Sequence, residues 1–182
     1  GRASYTQLEE ARERVLELLH HRVHGLGYKK RTELALDIVQ QLEQEGHFPS
    51  AHYAFDHGVL SLELSRGIER AGKHWVSELE CSRHIQWQGQ WQRVDTVAHT
   101  LRQAHPESFR AVRVHCRNGQ TKLLWVFTKV VRLKRYGPKR VVIVHEQQAL
   151  GDTPRFLLTD ALHWDSRRVI ETWSYRWTSE IF

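Results

Sequence analysis

His52-Tyr-Ala-Phe-Asp56 is a short apolar run closed by a carboxylate, and its neighbours decide how the chain is read. Before it, Leu34, Ala35, Ile38, Val39 and Leu42 recur at helical spacing, in a stretch opened by Thr32 and ended by Gly46 and Pro49. After it, Leu60, Leu64 and Ile68 repeat the helical interval up to Gly72, and residues 74–78 return to an extended pattern. Helix, strand, helix, strand is the alternation of an α/β fold. It predicts Asp56 at the carboxyl end of a strand, where open sheets of this type collect ligands, with Gly58 letting the chain turn away. Taken alone, an Asp in such a place is more often a turn or helix-capping residue.

Towards the N-terminus, Thr6-x-x-Glu9 is a capping-box pattern followed by Leu8, Ala11, Val15, Leu18 and Leu19. A first helix is expected to about residue 24, ending in the stretch from Gly25 to Gly27. Towards the C-terminus, the period changes to two between residues 85 and 144. Gly89 separates Gln86-Trp87 from Trp91-Gln92 as one hairpin signal, and Asn118-Gly119 is a stronger one. In residues 109–116, Val112, Val114 and Cys116 point one way and Arg113 and His115 the other, and the long apolar run 123–133 is expected to cross the core. Tyr136-Gly-Pro-Lys139 turns that run into a strand over 141–144. A short helix over 95–103, a short strand over 155–159 and a last helix from Trp164 complete the pattern. Residues 84–150 therefore read as a β-rich insertion before the last helix, and no period of 20 to 50 residues marks a solenoid.

Of the 27 Lys and Arg in the 182 residues, ten fall between Glu107 and Glu146, a stretch without one acidic residue; 17 remain against 21 acidic residues, a net −4 elsewhere. Such a block suits a polyanion, whose binding rests on phosphate neutralisation and counterion release. Arg113, Arg117, Lys129, Arg132, Lys134, Arg135, Lys139 and Arg140 are the residues expected to contact nucleic acid. An ordinary solvated sheet face is the other reading. Trp87 and Trp91 either stack on exposed bases or pack across their hairpin. Cys81 and Cys116 lack zinc-site spacing and are expected as free thiols. No apolar run approaches the roughly 18 residues of a membrane span, and no signal-peptide pattern is seen, so a cytoplasmic location is expected. With no Met and a helical pattern still running at Phe182, the chain is expected to be a piece of a longer protein.

In the last helix Ile170, Trp173, Trp177 and Ile181 form one stripe, and Arg176 and Glu180, four apart, share a neighbouring face. An amphipathic helix with an i,i+4 ion pair accounts for this pattern by itself. Together with Phe55-Asp-His-Gly-Val-Leu-Ser61 and Lys73-His-Trp-Val-Ser-Glu-Leu-Glu-Cys-Ser-Arg83, however, the closing Ile170-Glu-Thr-Trp-Ser-Tyr-Arg-Trp-Thr-Ser-Glu180-Ile resembles bacterial insertion-sequence transposases of the DDE class. The resemblance runs from about Thr32 to the end.

That resemblance implies an RNase H-like catalytic core, truncated at its first strands, with residues 1–182 forming a single domain that holds the insertion 84–150. It implies Asp56 as the second catalytic Asp. Arg176 and Glu180 fall in a Tyr-x2-Arg-x3-Glu-x6-Lys signature in which Trp173 replaces the Tyr. The family's first Asp has no counterpart, because Asp37 alone precedes Asp56 and sits in a helical pattern. The implied cofactor is Mg²⁺ or Mn²⁺ on Asp56 and Glu180, hard oxygen donors suited to either ion. Implied partners are double-stranded DNA, as transposon ends and target, and a second copy in a synaptic complex. The implied activity is metal-dependent strand cleavage and strand transfer by the complete enzyme, with this chain inactive alone. A non-catalytic, basic DNA-binding remnant is the alternative.

Overall fold

The short strand that Asp56 follows, and the helices before and after it in sequence, form as their apolar spacing dictates. The structure, a computed structural model, describes residues 5–25, 30–116 and 119–175. It is mixed α/β, with helices α1 (Tyr5–Gly25), α2 (Arg31–Glu45), α3 (Leu62–Arg70), α4 (Val94–Ala104) and α5 (Ser166–Ser174). The strands are β1 (Tyr53–Phe55), β2 (Trp75–Glu78), β3 (His84–Trp87), β4 (Gln90–Arg93), β5 (Arg110–His115), β6 (Thr121–Leu133), β7 (Gly137–His145) and β8 (Arg155–Thr159). The chain divides into two compact units, residues 1–53 with 58–74 and residues 54–57 with 75–182.

The first unit is helical. Leu18, Ile38 and Leu42 form its core, with Val15, Leu19, Leu34, Phe48 and Tyr53 packed against them. Arg14 forks onto Glu45, Nε to Oε1 at 2.6 Å and Nη2 to Oε2 at 3.0 Å, tying α1 to the end of α2. Gly46 ends α2 in the left-handed conformation, φ 68°, its N–H donating to Leu42 O. The Ser61 hydroxyl accepts from Leu64 N–H to cap α3, which buries Leu64, Ser65 and Ile68. Glu43 accepts from the Tyr53 hydroxyl at 2.6 Å and from Lys73 Nζ at 3.3 Å. Burial first, and Glu43 second, push the Tyr53 phenol pKa up, so it stays protonated.

The second unit is built on an eight-stranded sheet of order β1-β2-β8-β7-β6-β3-β4, with β5 also paired to β6. The pairings β2–β8, β8–β7, β7–β6, β6–β5, β6–β3 and β3–β4 are antiparallel. The 13-residue β6 is the axis: β7 lies along one edge, while β5 and β3 share the other. Residues 84–150 are thus continuous with β8 and β2 in one sheet. Gln88 and Gly89, φ 49° and 79°, make the β3–β4 turn, and Gly119, φ 81°, lies in the β5–β6 turn.

Cross-strand partners share a face, so the register sorts the core. Val76, Val142, Val144, Leu157, Val126, Leu124 and Val114 pack on one face with Val169, Ile170 and Trp173 of α5. The other face carries Trp75, Ile85, Leu133, Val141, Ile143 and Leu158, all buried, while α4 buries Val94, Val97, Ala98 and Leu101 and packs on β3 and β4. Asp165 caps α5 by accepting from Arg168 N–H at 2.8 Å. Asp160 Oδ1, just past β8, accepts from Trp75 N–H at 2.8 Å and fixes the start of β2.

Candidate functional site

Asp56 follows the last residue of β1, at that strand's carboxyl end, and its side chain is half-buried. β1 lies beside β2, and Ser77 Oγ of β2 donates to Glu78 O at 2.7 Å and approaches Asp56 O at 3.5 Å. The next residue, His57, reaches two carboxylates: Nδ1 is 4.0 Å from Glu78 Oε2 and Nε2 3.7 Å from Glu80 Oε1. These three line a cleft of about 910 Å³ at the carboxyl ends of β2 and β7, whose walls include His99, Arg102 and Arg155. Asp56 is not itself among the lining residues.

α5 packs on β2, β5 and β8. The helix whose sequence leads on to Arg176 and Glu180 therefore lies over the strand next to Asp56, although Arg176 and Glu180 are outside the described residues. Trp173 is a core side chain in the α5-side cluster, with the Arg155 guanidinium 5.6 Å from its ring centroid. Among the described residues no group of three or more His, Cys, Asp or Glu is arranged to hold a metal ion, and no helix is long and apolar enough to cross a membrane. Cys81 and Cys116 are free thiols.

Strand parity divides the basic residues expected to meet nucleic acid. Thr128 and Val130, paired with Val142 and Arg140, place the even-numbered side chains of β6 on the α5 face. Arg132 and Arg140 point to that face, as do Arg110 and Lys122, opposite Val126 and Val114. Arg113, Lys129 and Lys139 point to the other face. Among the described members of the set, Lys139 and Arg140 donate hydrogen bonds within the fold. Lys139 is buried, with Nζ donating to Tyr136 O and Pro138 O, and Arg140 donates to Leu162 O at 2.7 and 2.9 Å and to Thr128 Oγ1 at 3.0 Å. Lys129 lies 4.7 Å above the Trp87 ring. Arg132, Lys134 and Arg135 are exposed at the end of β6, and Arg117 is outside the described residues. None of the strands β3 to β7 contains an Asp or Glu.

Two features escaped sequence reasoning. The His57 contacts with Glu78 and Glu80 require the fold, because 21 or more positions separate the partners. His145 is 1% exposed, packs edge-on to Phe109, and shares a hydrogen bond of 3.0 Å with Asp152, which also accepts from Glu146 N–H at 2.8 Å and Gln147 N–H at 3.3 Å. Burial pushes the Asp152 pKa up, but the backbone amides and His145 together hold it below the usual range. The loop Glu146-Gln-Gln-Ala-Leu-Gly-Asp152 carried the one hint, an Asp after Gly at a turn. The sequence matches no protein-family model, and no curated protein matches it.

Proposed function

We propose that this chain is part of the catalytic core of a DDE-class DNA transposase with an RNase H-like arrangement, in which Asp56 and Glu180 hold Mg²⁺ or Mn²⁺. The observation that carries the reading is the juxtaposition of β1, which Asp56 directly follows, with β2, on which the helix leading to Glu180 packs. A bound divalent ion would neutralise charge on the scissile phosphate and lower the pKa of the attacking water. The chain's own residues would then orient DNA: exposed cations of the acid-free strands for phosphates, and Arg176 for the carboxylate or backbone beside it. Because the first Asp has no counterpart, the chain by itself is inactive or weak as a nuclease.

Titration calorimetry with Mn²⁺ tests this. One carboxylate-dependent site is expected in the wild type, weakened at least tenfold by Asp56→Asn and by Glu180→Gln; heats identical in all three proteins would sink the metal reading. Robust Mg²⁺-dependent nicking of supercoiled plasmid, abolished by Asp56→Ala, would confirm the site and refute the inactivity. The absence of acid from strands β3 to β7 also favours a second reading, a DNA-binding remnant without metal chemistry, which predicts duplex binding and no Mn²⁺ site.

A further inference from the structure

The β3–β4 hairpin sends its two tryptophans to opposite faces of the sheet. Trp87 lies on the face of Ile85 and Leu133, edge-on to Phe127 at 5.9 Å and beneath Lys129. Trp91 pairs with Gln86 on the other face and is 47% exposed. The antiparallel register that sets Ile85 opposite Leu133 also brings Gln86 toward Arg132 on β6. Trp91, Gln86 and Arg132 thus form a row across three strands, and two strand spacings put the indole roughly 10 Å from the base of the arginine.

All three side chains are exposed, and Val130, 38% exposed, lies on the same face one step further along β6. Among the described residues, α5 packs on the β2, β8 and β5 part of the sheet, and the exposed side chains Val130, Arg132, Gln86 and Trp91 lie towards the far end of β6. Lys134 and Arg135 follow Arg132, and both are exposed. The acid nearest in sequence, Asp95, is held by Arg93, Nη2 to Oδ2 at 2.8 Å. A face on which, among the described residues, an exposed indole and an amide stand beside exposed cations is complementary to a chain that offers flat rings and negative charge together.

We propose that this row is a docking surface for an unpaired segment of a DNA strand, with a base stacked on Trp91 and flanking phosphates held by Arg132 and Lys134. A duplex hides the faces of its bases, so the exposed indole would distinguish unpaired from paired DNA, whereas the cations bind both. The inference rests on the reading of the chain as a DNA-binding protein.

The test is fluorescence anisotropy of the full chain with a labelled single-stranded oligonucleotide and with the blunt duplex of the same sequence, each over a salt series. Trp91→Ala is expected to weaken single-strand binding about tenfold and duplex binding less than twofold, and Trp91→Phe to keep most of the affinity. Arg132→Ala is expected to weaken both and to lower the single-strand salt slope by about 0.7. Unchanged melting temperatures show that the exposed substitutions leave the fold intact. If the wild type binds both DNAs and Trp91→Ala changes neither, or weakens both equally, the stacking surface is wrong while the DNA-binding reading stands. If the wild type binds neither, both fall.

Discussion

Asp152 shows how much a single carboxylate contributes when one of its partners is buried. It accepts from the buried His145 and from two exposed loop amides, so Asp152→Ala leaves the buried imidazole donor without its acceptor and is expected to destabilise the fold by about 1–3 kcal/mol at pH 7. The folded protein holds this carboxyl below its unfolded value, so its contribution is complete above the ordinary Asp range near pH ~4 and is lost as pH falls through the depressed pKa. Urea melts of wild type and variant at stepped pH should therefore converge only in acid. Trp75 sits at the other extreme, fully buried and stacked on Phe55 with centroids 5.9 Å apart, its indole N–H without an acceptor among the described residues. Trp75→Ala should cost about 3–5 kcal/mol, measured by thermal or urea unfolding.

Between α2 and α3 the close approach is set by Gly67. A Cβ there would stand 2.9 Å from Leu36 Cδ1. Alanine gains about 1 kcal/mol of helix propensity over glycine, a gain the contact opposes in the wild type. Gly67→Ala is thus expected to stabilise a Leu36→Ala background by about 1 kcal/mol and the wild type by less, a coupling that a double-mutant cycle reads directly. At this scale much of the structure was legible in the sequence. The interval Leu34, Ile38, Leu42 gave α2, the alternation of Val112 and Val114 with Arg113 and His115 gave β5, and residues 155–159 gave β8. β7 starts at Gly137, four residues before the apolar run that announced it, because pairing with Leu133 and its neighbours on β6 fixes a polar segment as strand.

Across the molecule, the charge block seen in the sequence becomes a set of adjoining strands without acid, yet its cations are shared between two sheet faces. The proposed DNA-binding role predicts duplex affinity that weakens steeply with salt, the slope of log K against log salt steepening by about 0.9 per phosphate contacted. Substituting the exposed Arg132 should lower that slope, while substituting Lys139, engaged with two carbonyls, should act through stability; anisotropy and melting curves separate the two. The cleft beside His57 was not legible, since Glu78, Glu80, His99 and Arg155 come from a strand, a loop, a helix and a second strand that meet only through sheet order.

Residue spacing by itself determined the elements, the placement of Asp56 at a strand end, the free thiols and the basic stretch, because periodicity and turn chemistry act over a few neighbouring residues. Only the tertiary structure decided that β8 inserts between β2 and β7, that α5 lies on β2, and that Trp87 is packed while Trp91 is open. Those outcomes depend on which faces bury the most apolar surface together, a long-range choice that no local pattern encodes.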